Sequence, residues 1–133
     1  MPNPADFVAC RKCVCSQIRK TSRAVTQHYE RFFRGSGLRG TQFTVLATLI
    51  QTGPLPITKL AAELGLERTT LTRNLAPLAK QKLIRFLDTA DARIRSVEIT
   101  RKGESAALAA LPRWQAAQQG VHKVLRQFDV SLS

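Results

Sequence analysis

The stretch Leu66-Glu67-Arg68-Thr69-Thr70-Leu71-Thr72-Arg73 decides how this chain is read. On an ideal helix continuing from it, Leu71, Leu75 and Leu78 fall at i, i+4 and i+7 on one side, while Thr69, Arg73, Ala76 and Lys80 gather on the other. A buried leucine stripe therefore backs an exposed face of threonines and bases. Such a face suits a DNA groove: arginine can bridge two acceptors on guanine, and threonine offers a hydroxyl to bases or phosphates and a methyl to thymine. An ordinary solvated helix face has the same pattern. The helix alone leaves both readings standing, and its neighbours must decide.

Upstream, Ile57, Leu60, Ala61 and Leu64 form a short helical apolar stripe closed by Gly65, where a helix end commonly needs a left-handed residue. Two helices joined by a tight turn result, the first bracing the second, which is the helix-turn-helix arrangement. Downstream, Leu83 to Leu87 and Ile94 to Ile99 are rich in Ile, Val, Leu and Phe and flank the polar stretch Asp88 to Arg93. This predicts a β-hairpin. With Arg93 and Arg95 at its tip, it reads as a basic wing beside a reading helix. The connections Gly35-Ser-Gly37 and Gly53-Pro-Leu-Pro56 are expected to be loops between helices.

These segments together resemble the MarR family of transcription regulators. The resemblance is carried by Leu38 to Leu46, Ile57 to Leu64, Thr69 to Leu75 and Asp91 to Gly103, and with the flanking helices it extends over nearly the whole chain. Its most specific part is the wing pattern Asp-x-Arg, then a strand, then Thr-x-x-Gly, present as Asp91, Arg93, Thr100 and Gly103. The resemblance implies that Asp91 orients the wing and that Arg93 enters the minor groove. It further implies a homodimer on a pseudo-palindromic double-stranded DNA site, most often as a repressor, and an effector cavity often receptive to small aromatic or phenolic anions. On this reading Thr69, Thr70, Thr72 and Arg73 approach the major groove, and Lys80, Arg95 and Arg101 the phosphates.

The fold expected is mainly α with a small β-hairpin wing, in one domain spanning residues 1–133. The winged helix-turn-helix occupies about 40–100, and helices at about 8–36 and 101–130 form a dimerisation layer. Val14, Ile18, Val25, Tyr29 and Phe32 recur at helical spacing in the first of these, and a helix from Gln42 to Ile50 offers Phe43, Leu46, Ala47 and Ile50 to a core. Thr100 can cap the last helix, with Glu104 in its first turn. Ala107, Leu111, Trp114, Val121, Leu125 and Phe128 follow near-heptad spacing along it, a seam that calls for a partner. Leu111, Val121, Leu125 and Phe128 are its expected dimer contacts. Pro112 and Gly120 are expected to bend or break this helix, and the chain stops soon after Phe128, before the family's long final helix has room to form. Pro77 is unusual within the reading helix, where it costs about 3 kcal/mol in a regular interior.

The 133 residues amount to one domain, and 21 Lys and Arg against 9 Asp and Glu leave a net charge of +12. Such an excess points to a polyanion, most plausibly nucleic acid. The basic residues from Arg11 to Arg34 read by default as a solvated helix face. No window is long and apolar enough to cross a bilayer and no secretory segment opens the chain, so a cytoplasmic protein with no membrane partner is expected. Phosphate-binding glycine loops, His-Glu-x-x-His pairs and nucleophile elbows are missing, so neither an enzyme nor a cofactor is expected. His28 reads as a packing residue of the first helix, His122 as a surface or structural residue, and Trp114 as core or cavity wall.

Three cysteines, Cys10, Cys13 and Cys15, sit together near the amino terminus. As metal ligands they lack the fourth donor of a closed zinc site, and no metal is expected. As candidate redox thiols they gain from Arg11 and Lys12 beside them. The peroxide-sensing branch of the MarR family holds its thiol with tyrosines on the second helix, where this sequence has Gly40 and Phe43. That difference favours packing, or a role of another kind, for the cysteines over sensing. The competing functional class is a winged-helix interaction adaptor that does not read DNA, against which Arg73 and Arg93 argue.

Overall fold

A computed structural model describes residues 1–88 and 95–128. A 3-10 segment, Pro4–Lys12, precedes helices α1 (Val14–Phe33) and α2 (Gly40–Thr52). Strand β1 (Leu55–Pro56) leads into α3 (Ile57–Leu64) and α4 (Arg68–Lys80), which are followed by β2 (Ile84–Asp88), β3 (Arg95–Ile99) and α5 (Arg101–Leu125). The sheet is antiparallel in the order β1-β3-β2, with Phe86 opposite Val97 and Leu55 opposite the same Val97 from the other side.

The helix-turn-helix forms as its leucine spacing dictates. Leu71, Leu75 and Leu78 are fully buried, with Leu46, Leu49, Leu60, Ile84 and Val97 around them in the same core. Burial of each such side chain contributes about 1.5–3 kcal/mol. Gly65 ends α3 in the left-handed region at φ 65°, and the N–H of Leu66 donates to Ala61 O at 2.9 Å. That is the Schellman closure expected of a glycine there.

The same closure ends α4 without glycine. Lys82 takes φ 62°, its N–H donates to Ala79 O, and the N–H of Leu83 reaches Leu78 O at 2.9 Å. The left-handed turn aims two carbonyls at the start of α5. Lys82 O accepts from Thr100 Oγ1 at 2.7 Å and Leu83 O from Thr100 N at 3.0 Å. Thr100 in turn caps α5 by accepting from Gly103 N at 3.0 Å. A Cβ placed on Gly103 would lie 2.1 Å from Leu83 O, so only glycine lets the two chain segments meet.

Several boundaries differ from the sequence reading. Residues 8–12 belong to the 3-10 segment, and the first helix starts at Val14 because Cys13, at ψ 115°, leaves helical geometry. Pro54 to Pro56 is not wholly loop: Leu55 and Pro56 pair with β3, and an edge strand tolerates a proline that cannot donate. In α2 the core positions are Phe43, Val45, Leu46 and Leu49, whereas Ile50 is half exposed. Helix α5 runs unbroken through Pro112 and Gly120. Pro112 lies on the exposed side, where water can serve the Leu108 carbonyl left without a helical donor. Gly120 faces the His28 ring, which would come within 3.2 Å of an added Cβ. Pro77 is likewise exposed, and α4 continues past it to Lys80.

Helix α1 packs along α5. His28 Nε2 hydrogen-bonds to Ala117 O at 2.8 Å, and Arg113 Nη1 donates to Phe32 O and Arg34 O, closing the carboxy-terminal end of α1. Val121, expected between subunits, is buried in this packing within the chain itself.

Two substitutions of opposite sign test the junction. Gly103→Ala is expected to destabilise by about 3 kcal/mol through backbone overlap, and Lys82→Gly to stabilise by about 0.5–1 kcal/mol by relieving the left-handed lysine. Urea unfolding at one fixed protein concentration measures both.

Candidate nucleic-acid interface

The outward face of α4 carries the predicted reading residues, though not all of them equally. Thr69, Thr72, Arg73 and Lys80 are exposed and share the side opposite Leu71, Leu75 and Leu78. Thr70 stands apart from them at the flank, half-buried, and its carbonyl accepts from Asn74 Nδ2 at 3.0 Å. Thr72 Oγ1 donates back to Arg68 O at 2.8 Å. Its proton is thus committed, leaving the methyl and the oxygen lone pairs to face outward. Arg68, which the sequence reading did not single out, is exposed in the first turn beside Thr69. Its position one residue before the threonine pair was the available signal.

Around the wing, the basic side chains divide by occupation. Arg85 is tied to Glu98 across the strands at 2.5 Å, and Lys102 Nζ donates to Gln81 O at 2.9 Å, bracing α5 against the end of α4. Lys80, Arg95 and Arg101 remain exposed. Arg95 opens β3 opposite Asp88, with its guanidinium 4.4 Å from the centre of the Phe86 ring, a cation–π contact that holds it at the wing's base. Asp91 and Arg93 lie outside the described residues.

Between α1, α2, the Gly65 turn and α5 lies a cavity of about 330 Å³. Its walls come from Val25, Thr26, Tyr29 and Glu30 of α1, Gly40, Thr41 and Thr44 of α2, Leu64 and Leu66 on either side of the Gly65 turn, and Trp114 of α5. Tyr29 donates to Gln118 Oε1, and burial pushes its phenol pKa up, so the ring stays neutral. Glu30 Oε1 accepts from Gly40 N at 2.8 Å, joining α1 to the start of α2. Trp114 thus stands in the wall, as its sequence position suggested.

All three cysteines are exposed free thiols, contrary to a packing role within the chain. Cys10 lies in the 3-10 segment, Cys13 at the cap of α1 and Cys15 in its first turn, where Sγ accepts from Arg19 Nη2 at 3.6 Å. Among the described residues no three His, Cys, Asp or Glu side chains gather as a metal site, and no helix is long and apolar enough to cross a membrane.

A reading helix backed by a three-stranded sheet and braced by a preceding helix defines a winged helix-turn-helix of the DNA-binding kind. A family model described as the MarR family matches residues 38–94. The M. tuberculosis transcriptional regulator MosR, solved in complex with DNA, is 41% identical over 82% of this chain and 80% of its own, with a TM-score of 0.73. Bordetella bronchiseptica BpsR, whose DNA binding is regulated by 6-hydroxynicotinic acid, shares the fold at 21% identity over 81% of this chain and 83% of its own, with a TM-score of 0.72. E. coli MarR does so at 18% identity over 84% of this chain and 82% of its own, with a TM-score of 0.65. Comparison with curated proteins returned no match. The chain belongs to the MarR family of winged-helix transcriptional regulators.

Arg73 is the sharpest probe of the interface. Arg73→Ala is expected to cost about 1–3 kcal/mol at one base position of each half-site and to relax discrimination there. Competition binding against single-base variants of a selected site checks this; equal weakening on every sequence would make Arg73 a phosphate contact.

Proposed function

We propose that the protein is a homodimeric repressor that binds a pseudo-palindromic operator in the cytoplasm and is released by a small molecule in the cavity against Trp114. The observation that carries the DNA-reading part is the division of α4 between fully buried leucines and an exposed Thr69, Thr72, Arg73 and Lys80 face, in a chain of net charge +12. That face approaches the major groove, with Thr70 at its edge. Lys80, Arg95 and Arg101 approach phosphates, Arg93 the minor groove, and Asp91 orients the wing as the family resemblance implies. Binding selection on random DNA, followed by gel shifts on the selected site, tests the reading: no selected sequence would favour the interaction adaptor instead.

Dimerisation is supported by the large apolar side chains that the single chain leaves uncovered. Leu111 and Leu125 of α5 are 36% and 43% exposed, Leu108 is 72% exposed, and Ile18 of α1 is 52% exposed. Phe128, half-buried just beyond α5, continues the same end. A partner covering these residues removes them from water and sets two reading helices on one face of the duplex. Leu125→Glu or Phe128→Glu would place an unpaired charge in that layer. The expected result is monomer or unfolded chain by sedimentation, with loss of palindrome binding; a monomeric parent at micromolar concentration would sink the dimer.

A second reading, regulation through the thiols, is favoured by their exposure and by the clustering of Cys10, Cys13 and Cys15 within two turns of chain. Peroxide would convert them to sulfenic acid or disulfide, both reversible by reductant. The triple Ser variant separates the readings. Under thiol regulation, mild peroxide weakens operator binding by the parent, reductant restores it, and the variant is indifferent; a parent that ignores peroxide leaves regulation to the cavity.

A further inference from the structure

We infer that the cavity against Trp114 selects a small planar aromatic molecule bearing a positive charge or a hydrogen-bond donor, and disfavours the aromatic anions that the family resemblance implies. The inference rests on reading this cavity as the effector site. Glu30 is the one charged side chain in the wall, and no lysine, arginine or histidine lines it among the described residues. Gly40 N holds the carboxylate in place through Oε1, and no described basic side chain forms an ion pair with it. An entering carboxylate would meet a like charge with no basic side chain of this wall, among the described residues, to neutralise either. An amidinium or ammonium meets a charge-assisted acceptor instead.

The remaining wall argues for a ring. Trp114, Tyr29, Leu64 and Leu66 are flat or apolar, and an indole face attracts cations. A volume of about 330 Å³ is at the low end for ligand sites, which run from about 300 to 1,000 Å³, and suits one or two fused rings. The bound molecule would touch α5 through Trp114 and the α3–α4 turn through Leu64 and Leu66. It can therefore bias the angle of the reading helix, to the extent that it binds one arrangement better than the other.

Trp114 is the only tryptophan in the chain, so its fluorescence reports the cavity directly. Benzamidine, benzamide and benzoate are matched probes of one shape and three charges. Titrated into the parent, benzamidine is expected to half-saturate the quenching at a concentration at least about tenfold below that of benzoate. Glu30→Gln, which keeps an acceptor for Gly40, should abolish the difference, and Thr26→Lys, which adds an ammonium at the exposed rim, should reverse it. Benzoate binding as tightly as benzamidine to the parent would overturn the inference while leaving the cavity an effector site. If none of the three quenches saturably, the effector reading falls with it. Saturable, benzamidine-selective quenching that leaves operator affinity in gel shifts unchanged supports the charge preference and overturns only the effector reading.

Discussion

The rest of the structure depends on the contact between the Leu83 carbonyl and the backbone of Gly103. Here the end of α4, the start of β2, the end of β3 and the start of α5 are drawn to one point, too close for any side chain at position 103. Thr100 secures the junction three ways: its N–H and its hydroxyl donate to the α4–β2 turn, while its oxygen caps α5. Lys82 contributes by adopting a left-handed backbone that glycine would adopt at less cost, and so turns its carbonyl toward Thr100. The reading helix and the long helix of the α1/α5 layer are therefore one mechanical unit at this end.

At its other end the reading head adjoins the cavity. The Gly65 turn gives Leu64 and Leu66 to a cavity wall shared with α1, α2 and α5, and Glu30 fastens α1 to the first N–H of α2, that of Gly40. The close-packed junction at Gly103 and the cavity at the Gly65 turn thus lie at opposite ends of α4. Under the proposed function, a ligand in the cavity would act at the Gly65 end of this unit. Its effect on DNA affinity would be limited by its differential affinity for the arrangements it distinguishes, and the proposed charge preference of the wall would select which ligands have one.

Much of this was legible in the residues, for reasons that differ by element. The leucine spacing of α4, the Gly65 closure of α3 and the Thr100 cap are local patterns with one good solution each, and all three appear as read. Ile50 was misplaced because α2 is apolar on more than one side: Val45 and Leu49 won the core, and periodicity alone cannot choose between adjacent stripes. Val121 was assigned to a partner because a heptad seam looks the same whether it meets α1 of its own chain or another copy. β1 was missed since two residues carry no alternation to detect. Pro112 does not break α5, and both it and Leu108 lie on the exposed side, a matter of orientation that composition does not show. At the candidate interface, Thr70 looked equivalent to Thr69 in sequence, and only the helix phase separated them.

The central claim is that two copies of α4 lie in successive major grooves on one face of a duplex. Methylation interference at guanine N7, carried out on a selected operator, reads major-groove contact base by base. The account predicts two clusters of interference whose centres are one helical turn apart, about 10–10.5 base pairs, or a whole multiple of it. A single cluster, or interference spread evenly along the site, would contradict it.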